Sequence, residues 1–153
     1  MIDWLTAWLA TYDITFADSA LWLLFASGFL SATILPGSSE ASLLATLAID
    51  EYAALDIILV AAVGNTLGGA TNYLIGLWLP NRTNNQSRGQ KAIAWLSQYG
   101  YFVLLLSWLP VIGDVLCLAA GWLRMRFLPS VLLIFIGKTI RYMVLTALFL
   151  GLY

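Results

Sequence analysis

Histidine is absent from the 153-residue chain, and Cys117 is its only cysteine. One cysteine excludes a disulfide within the chain and a metal site built from cysteine alone. Without histidine, the usual zinc sites and the usual acid–base group at neutral pH are also missing. Ser38 and Ser39 beside Glu40 are the only residues that resemble a nucleophile next to a base. We therefore expect no metal, no cofactor and no enzymatic activity.

Charged residues are scarce as well, at 10% of the chain against 61% hydrophobic residues, and the mean hydropathy is +0.88. Because a soluble domain has about 25% charged residues, the composition predicts an integral membrane protein. The net charge is −1, and no nucleic-acid partner is expected. No basic residue precedes the first apolar run, so a cleaved signal peptide is not expected.

The chain contains an internal repeat. The sequence LPGSSE at 35–40 returns 74 residues later as LPVIGD at 109–114, and GNTL at 64–67 returns 73 residues later as GKTI at 137–140. Each copy of the first motif places an acid just after a proline inside an apolar stretch. The sequence therefore predicts a single membrane domain made of two repeats. Its predicted parts are an interfacial segment (1–17), repeat one (18–79), a loop (80–91) and repeat two (92–153).

The apolar limbs that follow the two acids are too short to cross a membrane. Nine uncharged residues separate Glu40 from Asp50, and nine separate Asp114 from Arg124. A nine-residue helix is about 13 Å long, whereas the hydrocarbon core is about 30 Å thick. We therefore predict two re-entrant helical hairpins, since irregular backbone at membrane depth must be buried in protein or line a wet cavity. The predicted tip residues are Pro36, Gly37, Pro110 and Gly113.

Each predicted hairpin is followed by a stretch long enough to span the membrane as a helix, residues 57–79 and 127–153. A hairpin followed by one span reverses the chain direction, so the two repeats of this all-α membrane protein are predicted to be inverted. Residues 1–17 carry aromatic side chains at a spacing of four and no basic residue, which predicts an interfacial helix. A poorly ordered tail is the alternative for that segment.

The charges also predict an orientation. Basic residues flank the 80–91 loop and the start of the last span, whereas acidic residues flank the opposite ends. By the positive-inside rule, the loop is predicted to be cytoplasmic and both termini external.

Four ionisable residues fall at membrane depth: Glu40, Asp114, Lys138 and Arg141. Each isolated charge at the bilayer centre costs about 3 kcal/mol, so four unpaired charges would cost on the order of 10 kcal/mol. They are therefore expected to meet one another, water or a ligand. Lys138 and Arg141 are three residues apart and share a helix face, as a pair facing both hairpin tips requires.

A functional interpretation makes this cluster a transport site. Removal from water disfavours the ionised carboxylate, so Glu40 and Asp114 are the predicted proton-coupling residues. Arg141, with Lys138, is predicted to bind an anionic headgroup such as phosphate. Ser38 and Ser39 follow the first tip and offer hydroxyl and N–H groups to the same anion, unless Glu40 itself uses this helix start. The structural alternative is a static ion network that fixes the packing.

A polar and small stripe runs along the first predicted span. Asn65, Gly69, Asn72 and Gly76 follow one another at spacings of four, three and four residues. Close helix packing is the simpler interpretation, and the alternative is that the asparagines line a polar path.

Five motifs in order resemble the YqaA-like branch of the DedA superfamily, small bacterial inner-membrane proteins with the SNARE-associated or VTT domain. They are residues 35–40, 64–69, 107–114, 120–122 and 137–142. The resemblance covers nearly the whole chain and implies paired re-entrant hairpins. It also implies a link to lipid translocation, because some members are similar to carriers that recycle undecaprenyl phosphate with a cation or proton gradient.

The resemblance places Glu40 at the acid of the first hairpin, and Pro110 and Gly121 at the proline and glycine of the second. The chain departs from the family pattern around Pro110, where typical members carry arginines and this chain has Ser107 and Asp114. Arg141 and Lys138 are the residues that replace this positive charge from the last span.

Taken together, these features predict a transporter or scramblase for an anionic lipid, such as a polyprenyl phosphate, linked to protons. The partners expected are membrane lipids, protons and further copies of the chain, because little protein surrounds the charges. The alternatives are a transporter of small solutes or ions, and a membrane scaffold that transports nothing.

Overall fold

The computed structural model describes residues 3–33, 37–50, 52–79 and 87–152, with the side chains of 3–6, 8–18 and 87–89 left aside. All regular secondary structure in these ranges is helical. The elements are α1 (Asp3–Thr33), α2 (Ser38–Ile49), α3 (Ala54–Trp78), α4 (Ser87–Tyr99), a 3₁₀ helix (Gly100–Trp108), α5 (Ile112–Trp122) and α6 (Phe127–Gly151).

Two long helices have the properties of membrane spans. Helices α3 and α6 each contain 25 residues and, within the part of the chain that the structure describes, are long and apolar enough to cross a bilayer. They coincide with the predicted spans 57–79 and 127–153. The exposed side chains of α6 between its first turn and its end are apolar, as expected for contact with lipid. They include Leu128, Leu132, Ile136, Ile140, Met143, Val144 and Leu148.

Two short helices follow the predicted tips. Helix α2 has 12 residues and α5 has 11, so they are about 18 Å and 17 Å long. Helix α2 begins directly after Gly37, whose φ of 96° suits glycine, and ends at Asp50 in a left-handed conformation. Both helices exceed the nine residues that the charge spacing gave but remain well short of the 30 Å core. Pro36 lies outside the described residues.

The first helix differs from its prediction. Helix α1 runs unbroken for 31 residues, about 46 Å, so residues 3–17 of the predicted interfacial segment continue into the first limb of repeat one as a single helix. No glycine or proline occurs between Asp3 and Ser27, and nothing else in that stretch breaks the helical backbone. The two segments differ in composition, but composition alone does not end a helix.

The second repeat also begins differently. Helix α4 starts at Ser87, so residues 87–91 of the predicted loop are helical, while residues 80–86 lie outside the described part. The chain turns at Gly100, where φ is 68°, and returns as the nine-residue 3₁₀ helix. The limb that leads to the second tip is therefore two short elements, whereas α1 is one long helix.

Helix α3 is the central packing element. Its first half packs with α1, α2 and α6 around Leu24, Leu43 and Ile57. Its second half contributes Tyr73 to a second core with α4, the 3₁₀ helix, α5 and α6, around residues such as Leu104. Glycines permit these contacts, because a Cβ at Gly64 would collide with the carbonyl oxygen of Phe25 in α1.

The closest approach is between α3 and α5. A Cβ on Gly76 would collide with the carbonyl oxygen of Leu118, and a Cβ on Gly121 would collide with that of Tyr73. Backbone meets backbone here, so no side-chain movement can make room. Gly76 of the α3 stripe therefore lies in a close helix contact, as the packing interpretation of this residue expects.

We predict that Gly121→Leu destabilises the fold by about 3 kcal/mol, the upper end of the range for overpacking, because the obstruction is backbone. Unfolding in sodium dodecyl sulfate, followed by circular dichroism, measures the change. Gly151→Leu is the matched control, since no heavy atom lies within 4 Å of a Cβ built there. Equal stability of the two variants would contradict the close α3–α5 contact.

Candidate functional site

The first acid pairs with α6. Glu40 lies in the first turn of α2 and accepts a hydrogen bond from the Arg141 guanidinium near the middle of α6. The side chain of Glu40 is 36% exposed and that of Arg141 is 11% exposed. This ion pair is therefore within reach of a ligand that approaches from outside the bundle.

The second acid pairs with the same helix. Asp114 lies in the first turn of α5, and its Oδ1 is 3.3 Å from the Lys138 Nζ. The side chain of Lys138 is only 2% exposed, and that of Asp114 is 27% exposed. The two pairs thus have the same chemistry but differ in how far their cations are shielded.

Lys138 is held by more than its ion pair. Its ammonium donates to the backbone carbonyl of Asn65 at 2.9 Å and to the Asn65 side-chain oxygen. With Asp114 it has three acceptors, which matches the three N–H groups of an ammonium. Gly69 leaves the space, because a Cβ there would lie 3.4 Å from the Nζ. Lys138 is therefore saturated with hydrogen bonds in this arrangement.

The polar layer continues through Asn65. The Asn65 amide donates to the Tyr142 hydroxyl at 2.5 Å, and Tyr142 is fully buried. Next to Glu40 in the sequence, the Ser39 hydroxyl of α2 donates to the Ser31 hydroxyl of α1 at 3.1 Å. Polar side chains of α1, α2, α3, α5 and α6 thus accompany the two ion pairs, and together they are called the polar layer.

The other predicted site residues are distributed differently. Ser39 is fully buried within the layer, whereas Ser38 is half-buried and donates to the carbonyl of Ser27 at 3.4 Å. Asn72 lies outside the layer: its amide donates to the carbonyl of Ala32 at 2.7 Å, in the last turn of α1. The two asparagines of the predicted stripe therefore have different places: Asn65 lies in the site, and Asn72 hydrogen-bonds α3 to α1.

The second tip, residues 109–113, is tightly built. The Ile112 N–H donates to the Pro110 carbonyl at 2.7 Å, and Val111 between them has φ 67° and ψ −52°. This is a γ-turn of the rare, strained kind, and a β-branched residue seldom adopts it. A Cβ on Gly113 would collide with the Ser107 carbonyl oxygen, so glycine permits the close return of the chain.

Two members of the polar layer were not among the predicted site residues. Tyr142 follows Lys138 by four residues, so helical spacing places it on the same face and could have identified it. Ser31 has no comparable signal, because its partner Ser39 lies in another helix. Within the described residues, no group of three or more Asp, Glu, Cys or His side chains could hold a metal ion.

The fold and the paired charges define a helical membrane protein in which four ionisable groups meet between the helices. A family model described as the VTT domain matches residues 19–150. The inner membrane protein YqaA of Escherichia coli (strain K12) is 45% identical over 128 residues, which cover 84% of this chain and 89% of that protein.

An uncharacterized protein of Haemophilus influenzae is 46% identical over 135 residues, which cover 83% of this chain and 85% of the relative. A second uncharacterized protein of that organism is 25% identical over 138 residues, covering 85% and 71%. No solved structure gives a significant match to the chain. The chain belongs to the VTT domain family, the DedA superfamily that its motifs resemble.

We predict that Lys138→Met destabilises the fold by about 3 kcal/mol, because it leaves Asp114 unpaired in a largely buried position. Adding Asp114→Leu should recover most of this loss, since apolar residues replace a buried ion pair at little cost. Detergent unfolding of the two single variants and the double variant measures the coupling. A double variant whose loss equals the sum of the single losses would contradict a stabilising pair.

Proposed function

We propose that this protein moves an anionic lipid, such as a polyprenyl phosphate, across the membrane by exchange at Arg141. The observation that carries the proposal is the partly exposed ion pair between Glu40 and Arg141. Arginine keeps its charge at any physiological pH and can grip a phosphate with two parallel hydrogen bonds. The same guanidinium that holds Glu40 is therefore a site for the lipid phosphate.

The exchange links lipid binding to a proton. When Glu40 takes up a proton, it becomes neutral and its attraction for Arg141 falls. The guanidinium is then available to bind the phosphate. When the lipid leaves, Glu40 loses the proton and pairs with Arg141 again. One carboxyl group and one fixed cation suffice for this cycle, and Ser38 beside Glu40 supplies a further hydroxyl near the headgroup.

Asp114 and Lys138 have a different part in the proposal. The saturation of Lys138 by Asn65 and Asp114 favours a positioning role for this lysine over direct binding of the headgroup. Asp114 remains the second proton-coupling residue, because its protonation would release the second tip from α6. The fully buried Ser39 fits the layer as a positioning residue as well.

We infer that the architecture consists of two inverted repeats, each a re-entrant hairpin and a span. The shortness of α2 and α5 supports this, as does the equal length of α3 and α6. Asn65 and Lys138 occupy equivalent positions in the repeated motifs and contact each other. Contact between equivalent residues is expected where they lie beside a two-fold axis between the repeats, so this contact supports the proposal.

Depth in the membrane follows from α6. Lys138 is the twelfth residue of this helix, about 18 Å from its start by helix rise, near the middle of a 30 Å core. Both ion pairs would then lie close to the midplane, where transporters place their binding sites. The exposed side of Glu40 leaves room for a lipid or a second copy of the chain, so the expected homo-oligomer remains part of the proposal.

The location proposed is the bacterial inner membrane, by analogy with the YqaA relative. The chain would pass through the membrane more than once, with the 80–91 loop in the cytoplasm. Arg124 and Arg126, at the start of α6, are exposed, and the nearby Met125 carbonyl accepts a hydrogen bond from Tyr73 near the end of α3. The basic turn and the end of α3 are thus on one side.

We predict that Arg141→Gln and Glu40→Gln each reduce lipid transfer at least about 100-fold, through loss of the cation in one and of the exchangeable charge in the other. Transfer of a fluorescent polyprenyl phosphate between the leaflets of reconstituted vesicles, with and without a pH gradient, measures this. Arg126→Gln is the matched control, because this arginine is exposed and outside the polar layer.

Full transfer by both variants would reject the proposal. Uptake of a water-soluble anion without lipid transfer by the wild-type protein would reject a lipid substrate. Detergent unfolding of each variant distinguishes a loss of transport from a loss of fold.

The orientation is tested by single cysteines in a Cys117→Ala background. Ala53→Cys and Leu152→Cys should react with a membrane-impermeant maleimide added outside intact cells. Arg126→Cys should react only after the cells are opened. Labelling of Arg126→Cys from outside would reverse the proposed orientation.

A further inference from the structure

We propose a second lipid-binding element, a groove between α4 and the second tip that holds the hydrocarbon chain of a phosphate-bearing lipid. This inference rests on the proposed function and deepens it by naming where the chain of the lipid lies. The groove has a volume of about 510 Å³, within the range of 300–1,000 Å³ usual for small-molecule sites. It is separate from the polar layer, because neither ion pair lines it.

The walls of the groove are apolar. Ala92 and Trp95 of α4 form one side, and Val111, Ile112 and Val115 form the other. Trp95 is 41% exposed, and Val111 and Ile112 are similarly accessible. Such walls suit a hydrocarbon chain and offer nothing to a small hydrophilic ion.

One cation stands at this apolar groove. Lys91 is the sole charged side chain among the described residues that line it, and no acidic side chain in the described part of the chain lies within ion-pair distance of it. An ammonium next to apolar walls, with no acidic partner among the described side chains, is complementary to an amphiphile with an anionic end. A lysine is a common point-charge ligand for phosphate.

The position of the groove connects it to the transport site. Val111 lines the groove and also forms the strained γ-turn, three residues before Asp114. Strained backbone of this kind persists where the surrounding structure holds it, commonly at functional sites. A hydrocarbon chain bound in the groove would therefore contact the second tip, whose acid, Asp114, pairs with Lys138.

Two other apolar grooves provide a comparison. One of about 360 Å³ is lined by residues that include Trp78, and one of about 260 Å³ by residues that include Trp22. Among the described residues lining these two grooves, none is charged. They should accept lipid chains without regard to the headgroup, whereas the Lys91 groove should select anionic lipids.

The test measures quenching of tryptophan fluorescence by bromine on lipid chains. Wild-type protein and Trp95→Phe are reconstituted into phosphatidylcholine vesicles that contain brominated phosphatidic acid or brominated phosphatidylcholine. The difference in quenching between the two proteins measures the contact of Trp95 with brominated lipid chains. We expect half-saturation at an about fivefold lower fraction of phosphatidic acid than of phosphatidylcholine, the selectivity that one lysine near an anionic lipid supplies.

Lys91→Gln should remove this preference and leave quenching by brominated phosphatidylcholine unchanged, which also shows that the variant is folded. Lys91→Arg should retain the preference. Trp22→Phe is the matched control. The difference in quenching between the wild-type protein and Trp22→Phe should be equal for the two brominated lipids. Equal quenching of Trp95 by both lipids, or a preference that survives Lys91→Gln, would overturn the proposal.

Competition with inorganic phosphate distinguishes recognition of a whole lipid from recognition of free phosphate. Millimolar inorganic phosphate should leave the preference of Trp95 for phosphatidic acid intact. If free phosphate abolished this preference, the proposed role of the hydrocarbon chain would be overturned. Arg141→Gln should keep the Trp95 preference while losing transfer. A wild-type protein that transfers no lipid but keeps the preference would reject the proposed function and support the groove.

Discussion

The need to pair charges within a low-dielectric membrane domain is the constraint on which the rest of this structure depends. An isolated charge at the bilayer centre costs several kcal/mol, and Glu40, Asp114, Lys138 and Arg141 are all placed to avoid that cost. Each acid lies in the first turn of a short helix, where the N-terminal end also favours negative charge. Both bases lie on α6, so a single helix connects the two halves of the chain.

The two ion pairs differ in exposure and in hydrogen bonding, and the proposed mechanism follows from this difference. Lys138 is enclosed, with three acceptors, whereas Arg141 meets a glutamate that remains partly exposed. A saturated buried cation suits a fixed anchor. A fixed cation with one exchangeable and accessible partner suits a ligand site. Hydrogen bonds run from Lys138 through Asn65 to Tyr142, and the Tyr142 ring lies 6.0 Å from the guanidinium carbon of Arg141, so the two pairs are close to each other.

Some features were predictable because they follow from length and from the cost of burying charge. The short α2 and α5, the two long apolar helices and the meeting of acids with bases are of this kind, since each needs only spacing along the chain and a known energetic penalty. The continuity of α1 was not predictable from composition, because a change in composition along the chain does not end a helix. Asn72 was grouped with Asn65 by helical spacing, but its partner is the carbonyl of Ala32 in another helix.

The sequence by itself determined the membrane class, the repeat, the short limbs and the four charges, because these depend on composition and on separations along one chain. Only the tertiary structure decided which acid meets which base, since Glu40 and Arg141 are 101 residues apart. It alone produced the contact between Asn65 and Lys138, the strained turn at Val111 and the groove beside Lys91. These arise where helices distant in sequence pack together, and no local pattern encodes their relative position.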